Sequence, residues 1–227
     1  MSAPSGDRRY YGRLFNLDSV YRLSHAPRRA MFDFFMRALR PTEKDKVLDL
    51  GATSLPDAQE NMFELYYPYP GRVTAAGVED CSFLTERCPG LTFVRIEAGK
   101  ALPFEDNAFD VGFSNAVIEH AGSRASQAFF LSELIRVSRS CFVTTPNRWF
   151  PIELHTRLPF AHWLPKPLFS RLLSLLGMDF YSKEENLNLL TCTELLALVP
   201  TASAKRARII KQRFLCLPSN LMLVVEK

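Results

Sequence analysis

Apolar positions along the chain fall into short runs separated by stretches with helical spacing. Val47-Leu48-Asp49-Leu50 is nearly continuous in apolar character, the pattern of a strand covered on both faces. Arg72–Val78, Leu91–Ile96, Phe109–Ser114 and Cys141–Thr145 predict four more strands. Between them, Asp57–Leu65, Cys81–Arg87 and Ser126–Val137 predict helices, the last with Leu131, Leu134 and Ile135 on its apolar side. Upstream, Pro27–Leu39 predicts a helix with proline in its first turn and Pro41 as its stop. Met31, Phe34 and Phe35 form its apolar face, expected to pack on a sheet rather than lie on a membrane surface. Strands that alternate with helices predict a mostly parallel sheet with helices on both faces.

The end of the chain differs in kind. Ile209–Leu217 and Asn220–Glu226 are β-rich and joined around Pro218-Ser219, a link so short that it demands an antiparallel hairpin. The expected fold class is α/β, a Rossmann-like seven-stranded mixed sheet closed by an antiparallel C-terminal hairpin. The stretch from Pro146 to about Leu198 is too long for a plain connection and is rich in aromatics, so it reads as a lid insertion after the fifth strand. Within it, Pro165–Leu176 predicts a helix ended by Gly177. The predicted organisation is one domain: 1–44 an N-terminal helical cap, 45–147 a cofactor-binding core, 148–200 a lid or substrate segment, and 205–227 the terminal hairpin.

Composition narrows the class without changing it. Hydrophobic residues make up 47% and charged residues 23%, as in an ordinary globular protein. The net charge of +4 is dispersed, so no nucleic-acid partner is expected. Five cysteines without a CxxC pair read as reduced thiols. Met1–Arg13 carries no apolar run, so no signal peptide is expected, and no apolar segment reaches the roughly 18–20 residues that span a bilayer. A cytoplasmic protein is expected, with peripheral membrane contact left open.

The candidate chemistry collects after the strands, where open α/β sheets bind ligands. Asp49 is a carboxylate near the end of a buried strand and needs a partner. Gly51 permits a sharp turn and close approach of backbone to a ligand. Glu79 ends the second strand, where an acid can accept hydrogen bonds from vicinal ribose hydroxyls, with Asp80 as the fallback. His120 follows the fourth strand, and its ordinary pKa suits a general base, with Glu119 able to orient it. His155 and His162 are rival bases in the lid. A zinc site from His120, His155 and His162 is not expected, because no cysteine or acid stands at metal spacing.

At this point the chain resembles a family. Val47-Leu48-Asp49-Leu50-Gly51, Gly77-Val78-Glu79, Leu102–Val111 and Ser114-Asn115-Ala116-Val117-Ile118-Glu119-His120 are similar to class I S-adenosylmethionine-dependent methyltransferases of the type 11 group. Glu133–Val137 and Thr145-Pro146-Asn147 continue the likeness, and Pro146–Pro151 through His155 and Trp163–Pro165 resemble a bacterial subgroup. The resemblance implies S-adenosylmethionine as cofactor. Asp49, Gly51, Ala52 and Thr53 would border its methionine part, Glu79 its ribose, Ala98 and Gly99 its adenine, and Asn115 and Ala116 the floor near the sulfonium. His120 would sit at the methyl-transfer zone, and Arg148, Trp149, His155 and Trp163 would form the substrate side. Methyl transfer to a small or amphipathic oxygen or nitrogen nucleophile follows as the expected activity, with a sugar- or lipid-linked acceptor among the candidates. Two alternatives stand beside it. The turn after the first strand keeps only Gly51, which allows a non-catalytic scaffold. A nicotinamide-dependent oxidoreductase is disfavoured, since no Gly-x-Gly-x-x-Gly follows that strand.

Overall fold

The computed structural model describes residues 17–54 and 61–227, the side chains of 17–25 and of Ala204 excepted. Helix α1 (Leu17–Leu39) precedes β1 (Val47–Leu50), α2 (Met62–Tyr66), β2 (Val73–Gly77), α3 (Phe83–Arg87), β3 (Thr92–Arg95) and β4 (Phe109–Asn115). Then come α4 (Arg124–Val137), β5 (Ser138–Pro146), α5 (Lys166–Leu175), α6 (Asp179–Ser182), α7 (Cys192–Ala197), α8 (Thr201–Ala204), β6 (Ala207–Phe214) and β7 (Leu217–Glu226). The seven strands form one sheet in the order β3-β2-β1-β4-β5-β7-β6. The first five are parallel, and β7 pairs antiparallel with both β5 and β6. Strand order reverses between β1 and β4, so the C-terminal ends of those two strands flank a crevice suited to a ligand.

Alternation along β1 shows how the sheet is buried on both faces. Val47 belongs to one core cluster, with Phe35, Phe63, Phe113 and Phe142; Leu48 and Leu50 belong to the other, with Leu131 and Leu134 of α4. The Phe113 ring stacks on Phe63 at 4.2 Å and meets Phe35 edge-on at 5.1 Å, which seats α1 and α2 on the sheet. Close approach on the other face relies on Gly112, where a Cβ would fall 2.4 Å from Ser138 Oγ and 2.7 Å from Leu134. That gap lets α4 run directly into β5, which starts at Ser138, earlier than the apolar run predicts.

Three boundaries differ from the sequence expectation. Helix α1 extends back to Leu17 with Pro27 inside it, whereas the proline rule placed the start at Pro27. Residues 57–60 of the helix expected over Asp57–Leu65 lie outside the described residues; the described part begins at Met62. The terminal hairpin turns at Leu215-Cys216, not at Pro218-Ser219. Phe214 pairs with Leu217, and both turn residues take positive φ (47° and 67°), as a tight two-residue hairpin requires. Pro218 lies in β7 beyond the last β5 partner and beside the irregularity at Gln212/Arg213, a position where a missing N–H is tolerated.

The segment between β5 and α7 returns to the sheet by a parallel bridge between Asn147 and Leu190. It has its own small core of Leu173, Tyr181, Leu187 and Leu189. The first turn of α4 clamps its return leg. Arg124 reaches the Leu189 carbonyl and Glu194, and Gln127 donates to the carbonyls of Ile118 and Asn188. Helix α5 ends as expected, Gly177 taking φ +71°. Among the described residues, no helix is long and apolar enough to cross a membrane.

Candidate active site

One cavity of about 1290 Å³ opens at the C-terminal ends of the parallel strands. A single small-molecule site is usually roughly 300–1,000 Å³, so this one has room for a cofactor and an acceptor side by side. It gathers Gly51, Ala52 and Thr53 after β1, Glu79 after β2, Ala98 and Gly99 after β3, and Asn115, Ala116 and His120 after β4. His155 reaches it from the lid.

The turn after β1 is shaped by its one glycine. Gly51 takes φ +110°, and a Cβ there would lie 2.3 Å from Val117. The amides of Gly51 and Ala52 both donate to the Ala76 carbonyl, and Gly77 lets the Ala52 carbonyl approach, since a Cβ there would meet that oxygen at 2.7 Å. Ser54 then donates to the Glu79 carboxylate, fixing the acid of β2 against the loop of β1. On the other flank Ala116 holds φ +56° without being glycine, its amide bonded to Thr144, while the Thr144 hydroxyl donates to Asn115 at 2.6 Å. Small residues, the strand-end acid Glu79 and an open crevice fit an adenosyl cofactor. Glu79 would hold its hydroxyls, and the Gly51–Thr53 backbone would lie alongside.

Two expected cofactor residues sit elsewhere. Asp49 shares the β1 face with Val47, away from the cavity, and is buried against Glu64 of α2. Burial raises its pKa well above the carboxylate range, and the charge of Glu64 raises it further. Burial raises Glu64 too, and the two carboxyls titrate as a pair. Asp80 is exposed and caps the next turn through the Ser82 amide, which lowers its pKa.

The lid side of the cavity is built from buried charge. Glu119 is fully buried, takes a 2.9 Å hydrogen bond from the Thr145 hydroxyl, and is pushed by burial up to about 7 against the opposing charge of His155. His120 Nδ1 lies 2.7 Å from the Asn186 carbonyl, which makes Nδ1 the donor and Nε2 the nitrogen left to exchange a proton. His155 Nδ1 lies 2.7 Å from buried Glu153. Burial alone would raise Glu153; the charge of His155 and bonds from its ring and from the His155 and Thr156 amides outweigh it and hold Glu153 at about 2. Burial likewise opposes the charge on His155, but Glu153 raises it above the ordinary imidazole value. The two imidazoles meet edge-to-face at 4.8 Å.

The remaining substrate-side expectations divide. Arg148, Trp149 and Trp163 do not line the cavity. Trp149 is 54% exposed and packs with Trp163 on the outside of the lid, with Arg148 against its ring. Phe150, Ile152, Leu154 and Arg157 of the same segment line it instead, joined by Arg28 of α1 and Leu215 of the hairpin tip. His162 is buried within the lid, its Nε2 on the Phe150 carbonyl, and does not line the cavity. Glu153 carries one local signal in the sequence, the i, i+2 spacing to His155 in irregular chain.

The strand order and the closing antiparallel hairpin define the Rossmann-like fold of class I methyltransferases. Residues 73–140 match the family described as a methyltransferase domain, in agreement with the type 11 S-adenosylmethionine-dependent group. No curated protein sequence matches the chain. Among solved structures it is similar to the Burkholderia thailandensis 1,6-didemethyltoxoflavin-N1-methyltransferase bound to 1,6-didemethyltoxoflavin and S-adenosylhomocysteine, at 14% identity and a TM-score of 0.57 over 89% of this chain and 79% of that one. It is also similar to geranyl diphosphate C-methyltransferase from Streptomyces coelicolor, in complex with Mg2+, geranyl diphosphate and S-adenosylhomocysteine, at 13% identity and a TM-score of 0.54 over 96% and 86%. At such identities these neighbours carry the fold. The family match and the shared fold together support an S-adenosylmethionine-dependent methyltransferase.

Proposed function

We propose that this protein methylates an oxygen or nitrogen nucleophile on a small or amphipathic acceptor, lipid- and sugar-linked molecules included. The observation that carries the reading is the single cavity that joins the strand-end loops around Gly51 and Glu79 to the imidazole–carboxylate cluster of Glu119, His120 and His155. Bound S-adenosylmethionine supplies an already activated methyl group. The chain's own work is then to orient the partners and exclude water. Glu79 accepts from ribose hydroxyls, Ala98 and Gly99 border the adenine, and Asn115 and Ala116 form the floor between the two halves. Phe150, Ile152 and Leu154 supply an apolar wall, and Arg28 and Arg157 bring cations to the same space. That mixture suits an acceptor with both apolar and anionic or hydroxylated parts. His120, with its proton on Nδ1, meets the acceptor's nucleophilic atom through Nε2.

The test is transfer of label from methyl-labelled S-adenosylmethionine to a panel of hydroxyl- and amine-bearing amphipathic acceptors. His120→Ala is expected to lower turnover by about 100-fold while leaving S-adenosylhomocysteine affinity unchanged. Equal turnover in His120→Ala would contradict this placement of the acceptor.

A further inference from the structure

We propose that Glu119, His120 and His155 form a binding site for one divalent transition-metal ion, open toward the cavity. One ligand atom from each lies within 4.8 Å of the others. Glu119 and His120 come from the turn after β4 and His155 from the lid, so an ion there would pin the lid to the sheet. An independent observation points to a ligand. Glu119 is 0% exposed, one of its oxygens accepts from Thr145, and the other, Oε1, has no hydrogen-bond donor among the described residues. A buried carboxylate oxygen left in that state is costly unless a cation meets it.

The outer shell has the form of a metal site. Each imidazole is held through Nδ1, His120 by the Asn186 carbonyl and His155 by the Glu153 carboxylate, which sets the tautomer that offers Nε2 as a ligand. Two imidazoles and one carboxylate suit zinc, cobalt or nickel rather than magnesium, which prefers oxygen alone. Three protein ligands leave a position for water or an acceptor atom, as in catalytic rather than structural zinc sites. Ligand atoms around tetrahedral zinc stand about 3.4 Å apart, so loading must draw the widest pair of the 4.8 Å cluster together by about 1.4 Å. An imidazole nitrogen committed to an ion no longer takes a proton. In the loaded protein the ion, not the His120 ring, would polarise an acceptor hydroxyl. The inference does not rest on methyl transfer, since ion binding is measurable with no acceptor in hand.

The experiment is calorimetric titration of the chelator-stripped full chain with Zn(II), paired with the visible spectrum of the Co(II) form. One ion per chain is expected, with a four- or five-coordinate nitrogen–oxygen spectrum free of thiolate charge-transfer bands. Glu119→Gln, nearly isosteric, and His155→Ala should each weaken binding by about 100-fold, and Glu153→Gln by about 10-fold. Cys216→Ser, at the exposed thiol, should change nothing. Circular dichroism confirms that each variant is folded. No binding at millimolar Zn(II) and Co(II), or affinity kept in both Glu119→Gln and His155→Ala, would overturn the site.

Discussion

Beneath β1, Asp49 and Glu64 are buried against each other, and burial raises both. At the seam between β4, β5 and the lid, Glu119 and Glu153 are buried as deeply, but two imidazoles stand among them. There the acids are driven apart, Glu153 down to about 2 and Glu119 up to about 7. Raised pKa values disfavour charge in the first pair, which does not line the cavity. The second keeps charge where a ligand can reach it. Buried acids of the same type thus serve packing in one place and chemistry in the other, and the difference lies in which partners the fold brings to them.

The largest effect that would break this comparison comes from Glu153. Glu153→Ala strips His155 of its buried partner, and removing one member of a buried pair costs about 3 kcal/mol or more, read as a lowered urea midpoint. Thr145→Val should cost about 1.5 kcal/mol in the same assay, because it removes a hydrogen bond to a buried acid. A neutral result for either would mean that the seam does not hold charge as described.

Asp49→Asn should act in the opposite direction. A carboxyl whose folded pKa is raised contributes stability that is fully present below its unfolded pKa, near 4, and is lost as pH rises through the folded value. Wild type should therefore lose stability from about pH 4 upward. The asparagine variant, which keeps a donor toward Glu64 without the titration, should be the more stable by about 1 kcal/mol at pH 8 and should lose that advantage at pH 4. A variant less stable at both pH values would contradict a raised Asp49 pKa.

The loops proposed for the cofactor were legible as strand-end loops because their information is local. Apolar runs mark the strands, Gly51 marks the turn, and Glu79 and Gly99 follow at strand ends. Even Asp49 was readable against the motif, since alternation with Leu48 and Leu50 sets it on the Val47 face. The acceptor half was not legible in the same way. Glu153 and His155 are two residues apart, but nothing local says that they meet Glu119 and His120 across the whole of α4 and β5. The hairpin tip was misplaced for a related reason. Leu215-Cys216 carries none of the glycine or asparagine that usually marks a tight turn, and the pairing of β6 with β7 imposes it.

The most direct measurement is calorimetric binding of S-adenosylhomocysteine to the full chain and to two variants. Saturable one-to-one binding is expected, weakened at least about tenfold by Glu79→Ala, which removes charged hydrogen-bond acceptors, and unchanged by Asp80→Ala, whose carboxylate caps a turn outside the cavity. No binding at millimolar ligand, or binding indifferent to Glu79→Ala, would contradict the cofactor site and favour a scaffold built on the same fold.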